Sequence, residues 1–196
     1  MTIFIVISRG QIARNLLQNE FYTLVKKHFK KVVLITASSE DPRFKKEFGA
    51  ENVDIIPAIN EKDSFWDTVV THLNRVLIFN ETTVGDTLYR YIIPPSRAKW
   101  LLKKLLQLII ISIVFYPLSK LRIVRQIIQW LDYRFLQQSS VKQYEQLIEK
   151  HGPDVVFVGN MIEEASILKA ARRKKVPTVA MPKTWDNPSR RYFRAK

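Results

Sequence analysis

Apolar positions along the chain fall into short runs separated by polar turns, with two different periods. Ile3 to Ile7 is an unbroken, β-branched run of the kind that forms a parallel strand covered on both faces. Ser8-Arg9-Gly10 ends it. From Gln11 to Phe29 the residues Leu16, Leu17, Phe21, Leu24 and Val25 recur at near-helical spacing, predicting one helix. Val32 to Thr36 reads as a second strand and Ser38 to Pro42 as a loop. Phe44 to Gly49 reads as a short helix stopped by its glycine, and Val53 to Ile59 as a third strand. A β-α-β-α-β order predicts the first half of a doubly wound parallel sheet.

The pattern then changes. Asp63 is placed to cap a helix through Trp66, Val69, Val70, Leu73 and Leu77, and Pro94-Pro95 breaks the chain. Leu121, Val124, Ile128, Leu131 and Phe135 follow a 3-4-3-4 spacing, which predicts an amphipathic helix with a basic start. A further helix ends near His151-Gly152-Pro153. Asp154 to Asn160 is a strand and its turn, Glu163 to Lys175 a helix, and Thr178 to Met181 a last strand. The expected architecture is therefore α/β: one Rossmann-like doubly wound parallel sheet over residues 1–196, with a helical, basic-apolar insertion at 94–137.

Composition narrows the function. At 196 residues and 46% hydrophobic content the chain can bury a core, so it is not a disordered polymer. A net charge of +14 calls for an anionic counterpart: acidic lipid, nucleic acid or a phosphorylated substrate. The absence of cysteine excludes disulfides, thiolate metal sites and thiol catalysis. The N-terminus reads as a strand rather than an export signal, so a cytoplasmic location is expected.

The charge is concentrated. Thr87 to Leu131 contains no Asp or Glu and eight Lys or Arg residues. Between the two basic clusters lies the apolar block Leu105 to Leu118. Its 14 residues would reach about 21 Å as a helix, short of the roughly 30 Å hydrocarbon layer. An in-plane or shallow helix on an anionic membrane is expected instead. Trp100, Lys103, Lys104, Ile109, Ile110, Phe115, Lys120 and Arg122 are its candidate contacts, and Trp100, Tyr116 and Trp130 its aromatic anchors. A core helix with basic ends, or a partner interface, satisfies the same pattern. Nucleic acid fits less well, because single-strand readers interleave aromatics with cations, whereas these cations flank an aliphatic block.

Ligands of open α/β sheets bind beyond the carboxyl ends of the strands. At the first such loop, Arg9, Gly10 and Gln11 open a helix, where a glycine admits close approach and the helix start favours an anion. A plain β-α turn has the same residues. At another, Asn160 precedes Glu163 and Glu164, either of which can serve as a general base toward a hydroxyl acceptor or simply oppose the helix macrodipole. There is no GxGxxG, Walker A or GxSxG motif, and His28, His72 and His151 share no metal spacing. No metal and no cofactor are expected.

The segment from Asp154 to Asn187 also resembles a family. A strand ending in Asn160, the acidic pair Glu163-Glu164, Ala171-Arg172-Arg173, Val176-Pro177-Thr178 and finally Thr184-Trp185-Asp186-Asn187 are similar to a signature of bacterial glycosyltransferase-like proteins of the GT-B type, near the CDP-glycerol glycerophosphotransferases. The close match covers about 35 residues. Thr184 stands where the family usually has serine. The resemblance implies an N-terminal, acceptor-side half of a transferase of cell-surface polysaccharide synthesis. Asn160, Thr184, Trp185, Asp186 and Asn187 would shape its cleft, and Arg9, Gly10 and Gln11 would meet an anionic part of the substrate. The implied partners are an anionic membrane at the inner face of the cell membrane, a lipid- or glycan-linked acceptor, and a nucleotide-activated donor held by a C-terminal domain or partner chain. Without that donor half the chain is expected to be inactive. The alternative is a non-enzymatic, membrane-associated α/β adaptor.

Overall fold

The computed structural model describes residues 1–60, 64–67, 113, 116–160 and 164–181. By its contacts the chain divides into two compact units: Met1–Lys62 with Gln137–Thr184 and Arg194–Lys196, and Asp63–Leu136 with Trp185–Phe193.

The first unit is α/β. Its elements are β1 (Thr2–Ile7), α1 (Gly10–Leu17), α2 (Glu20–His28), β2 (Lys31–Thr36), α3 (Pro42–Phe48) and β3 (Val53–Pro57). The second unit then supplies α4 (Tyr116–Lys120) and α5 (Arg122–Phe135). The first resumes with α6 (Gln138–His151), β4 (Val155–Val158), α7 (Ala165–Arg173) and β5 (Thr178–Ala180). All five strands are parallel, in the order β3-β2-β1-β4-β5. The chain runs outward from β1 to β3, then returns to β1's other side as β4, so strand order reverses between β1 and β4. This is the Rossmann-like arrangement expected from the alternation of elements.

Parallel strands are covered by helices on both faces, and β1 shows the consequence. Ile3, Ile5 and Ile7 point into one core with Ile12, Leu16, Tyr22, Val25, Phe44 and Phe48 from α1, α2 and α3. Phe4 and Val6 point into the opposite core with Val141, Tyr144, Ile148, Ile167 and Ala170 from α6 and α7. Each such aliphatic or aromatic side chain contributes about 1.5–3 kcal/mol by leaving water. A polar residue at any position from 3 to 7 would face one core or the other.

Two local outcomes depart from the sequence pattern. The single helix expected over 11–29 is two. Asn19 ends the first by donating its Nδ2 to the Asn15 carbonyl (2.6 Å) and starts the second by accepting from the Phe21 N–H (2.9 Å). Its amide competes for backbone groups that a continuous helix would have used. Leu24 consequently faces solvent, while Tyr22 and Val25 are buried. β3 stops at Pro57, short of Ile59, although the Ala58 N–H still reaches the Thr36 carbonyl at 3.0 Å. Proline is tolerated there because β3 is an edge strand. The expected cap at Asp63 lies outside the described residues. Ser64 and Asp67 next to it form a reciprocal capping pair, with Ser64 N–H donating to Asp67 Oδ2 (2.7 Å) and Asp67 N–H to Ser64 Oγ (3.2 Å).

Tyr22 ties α2 to α3. Its hydroxyl donates to the Phe48 carbonyl at 2.5 Å, and burial pushes its pKa from 10.0 up to about 12. A phenol whose folded pKa is raised stabilises the fold fully below its unfolded value, and that contribution drains away as pH rises from about 10 through 12. Ultraviolet titration should therefore show one tyrosine ionising late, together with loss of structure. Tyr22→Phe should cost about 1 kcal/mol at neutral pH, read by chemical denaturation, and remove that part of the alkaline sensitivity.

Candidate functional site

The site is built where strand order reverses, at the carboxyl ends of β1 and β4. β4 leaves through Gly159, whose N–H donates to the Val6 carbonyl at 3.1 Å and holds the two strand ends together. A Cβ on Gly159 would collide with Ile12 Cγ2 and press on Leu16 Cδ1 at 3.2 Å. The isoleucine branch is stiff, so glycine is what lets α1 pack against the end of β4.

Glu164 caps α7 by position but not by its side chain. Its Oε1 accepts from the Ser8 N–H at 2.8 Å and its Oε2 from the Asn160 N–H at 3.2 Å. Its own N–H donates to the Asn160 carbonyl at 3.1 Å. The residue is 5% exposed. One carboxylate thus clamps the loop after β1 to the loop after β4. Sequence allowed a base or a macrodipole partner at this position, and the geometry adds this third role, which no spacing rule reveals. Ser8 lies 156 positions away in the chain. Asn160, expected in the cleft, is buried and belongs to the same clamp.

The expected anion loop lies beside it. Arg9 is the extended residue before α1, and its carbonyl accepts from the N–H groups of Ile12 and Ala13, both at 3.0 Å. Arg9, Gly10 and Gln11 are all exposed. A Cβ on Gly10 would meet nothing within 4 Å, so no internal packing requires glycine there. A pocket of about 220 Å3 opens here between the carboxyl ends of β1 and β2 and the helices α1 and α3. Ser8, Arg9, Gly10, Arg14, Thr36 and Glu47 are among its walls. Arg14 was not among the residues picked from sequence. It sits one helical turn beyond Gly10, and that i, i+4 relation was the available signal.

The second unit carries a different surface. On α5, Ile123, Ile127 and Trp130 are 64%, 51% and 57% exposed, and their i, i+4, i+7 spacing puts them on one stripe. Lys120, Arg122 and Arg134 are exposed near its two ends. The positions expected to be buried behave unequally. Val124, Ile128 and Leu131 are half-buried, while Leu121 and Phe135 are exposed. Within the apolar block, Ile113 is 68% exposed. Among the described residues no helix is long and apolar enough to cross a membrane, and no cluster of three or more His, Asp or Glu is placed to hold a metal ion. His28 bonds the Leu24 carbonyl on its own helix, and His151 packs edge-on against Phe4 at 5.9 Å. Glu163, Thr184, Trp185, Asp186 and Asn187, with Trp100, Lys103, Lys104, Ile109, Ile110 and Phe115, lie outside the described residues.

The clamp has a measurable consequence. In Glu164→Gln one acceptor becomes an NH2 group aimed at a backbone N–H. The loss of one buried bond should cost about 1–3 kcal/mol, read by chemical denaturation. Amide exchange at Ser8 and Asn160 should accelerate more than exchange in β2.

The chain matches no family model, no curated protein and no solved structure.

Proposed function

We propose that this chain is the acceptor-side, membrane-peripheral half of a glycosyltransferase-type enzyme of cell-surface polysaccharide synthesis. It works at the inner face of the cell membrane on a lipid- or glycan-linked acceptor. A nucleotide-activated donor is held by a C-terminal domain or partner chain. The observation that carries the reading is the stripe Ile123, Ile127 and Trp130 on α5, bracketed by Lys120, Arg122 and Arg134. Exposed aliphatic and indole groups leave water when they enter the headgroup boundary, and each flanking cation adds about 1 kcal/mol against an anionic leaflet. Together these give reversible attachment without a span. The α/β sheet supports the transferase part, because its strand ends offer polar loops in the position where such folds take ligands. The resemblance around Asn160 and Thr184 to Asn187 names the chemistry.

A second reading, the non-enzymatic membrane adaptor, draws support from Glu164. Both of its oxygens already accept backbone N–H groups, an arrangement that serves architecture rather than proton transfer. In the transferase reading the base is then Glu163.

Vesicle flotation tests the membrane half of the proposal. The protein should float with phosphatidylglycerol vesicles, should float weakly with phosphatidylcholine, and should detach progressively as salt rises. Ile127→Asp with Trp130→Asp should abolish flotation without lowering the melting temperature, since both side chains are exposed. Equal flotation on neutral lipid, or no effect of the double variant, would overturn it. For the transferase half, the chain is combined with a candidate donor half. Loss of sugar transfer in Glu163→Gln supports the enzyme, and unchanged transfer removes Glu163 as its base.

A further inference from the structure

We propose that the pocket between the ends of β1 and β2 binds a small phosphate monoester carrying hydroxyl groups, of about the size of a sugar phosphate. The assignment deepens the proposed function and rests on it for the idea that a phosphorylated substrate is used. Its physical case comes from the pocket walls.

Size sets the first limit. A volume of about 220 Å3 falls below the roughly 300–1,000 Å3 of pockets that enclose drug-sized ligands. A whole nucleotide-sugar does not fit inside, whereas a hexose phosphate does. Charge sets the second. Two arginines, Arg9 and Arg14, and one carboxylate, Glu47, are among the lining residues, all three of them exposed. Among the described residues none makes a hydrogen bond or ion pair with the Arg14 guanidinium, and α1 has no acidic residue in its first turn. A planar fork of N–H donors matches phosphate oxygens in pairs.

The remaining walls select for a hydroxylated body. Thr36 is 3% exposed, and its Oγ1 accepts from the Ser38 N–H at 3.3 Å, which leaves the hydroxyl proton to be donated into the pocket. Glu47 Oε1 accepts from Gln18 Nε2 at 2.9 Å. That bond fixes the carboxylate and leaves Oε2 to accept from a ligand hydroxyl. The same negative charge opposes a second phosphate, so a monoester is preferred over a diphosphate. Beside Gly10 the space within 4 Å of a would-be Cβ is empty, which gives the ligand room at the helix start.

Isothermal titration of the full chain, without lipid, tests the assignment with glucose 6-phosphate, inorganic phosphate and glucose. Glucose 6-phosphate should bind saturably, at least tenfold tighter than inorganic phosphate, and glucose should not bind. Arg14→Ala should weaken glucose 6-phosphate at least tenfold, and Arg14→Lys should recover part of the loss. Gly10→Leu should block binding while the melting temperature stays unchanged. Absence of binding by the unaltered protein overturns the pocket. So does binding that Arg14→Ala and Gly10→Leu leave intact, since that would be diffuse attraction to a basic surface. Flotation of the same Arg14→Ala protein on anionic vesicles separates the two ideas. Binding lost with flotation intact supports the pocket as a site of its own, and no binding by the unaltered protein with flotation intact removes the pocket and spares the membrane reading.

Discussion

Burial of β1 on both faces is the constraint from which the rest of the first unit follows. Five consecutive residues, Ile3 to Ile7, have no solvent side. The odd positions hold α1, α2 and α3 to one face, and the even positions hold α6 and α7 to the other. A strand gripped this way cannot slide by one residue without exchanging its two cores. Its carboxyl end is therefore a fixed point. Ser8 is presented to Glu164 and Val6 to Gly159 because β1 and β4 are in register from Ile3 with Val155 to Val6 with Val158. The loops that offer chemistry inherit their position from apolar packing several ångströms below them.

Glu164 shows how that rigidity is passed on. A buried carboxylate is costly unless its charge is met by donors. Here two backbone N–H groups from different loops meet it, so desolvation and loop geometry are settled by one residue. Any ligand at the β1 loop encounters a backbone already tied to β4. α1 then begins at a determined place, and Arg14, exposed one turn along it, lines the pocket mouth.

Much of the fold was legible because parallel strands buried on two faces appear as unbroken apolar runs. β1, β2 and β4 fall where such runs occur. Helix continuity was less legible. The break at Asn19 depends on a side-chain amide competing with backbone, and the apolar spacing from Leu16 to Val25 is indifferent to it. Leu24 fits the period yet faces water, because the second helix starts with a new phase. At the site, Arg9 and Gly10 were readable from their place after a strand. The clamp by Glu164 was not, since it joins residues far apart in sequence. Thr36 and Arg14 escaped notice for a related reason. Each is an ordinary residue within an ordinary element, and only the pairing of β1 with β2 brings them to one cavity.

The two proposed anion-binding surfaces differ in what surrounds their cations. More than half of the net +14 resides in Thr87 to Leu131, beside aliphatic residues and without a single acid. In the first unit, cations are offset locally, as in Lys31 with Asp54 at 2.8 Å and Arg173 with Glu145 at 3.4 Å. An exposed pair such as Lys31–Asp54 adds little to stability, about 0–1 kcal/mol, and the first unit keeps a formal net charge of +8. The proposed membrane role would use both features of the second unit, because a lipid surface accepts charge and oil together. The pocket of the first unit asks for something smaller. With few cations beside a carboxylate, the proposed site would gain from the geometry of one phosphate rather than from the density of many, so salt should weaken it less than it would weaken the proposed attachment through α5.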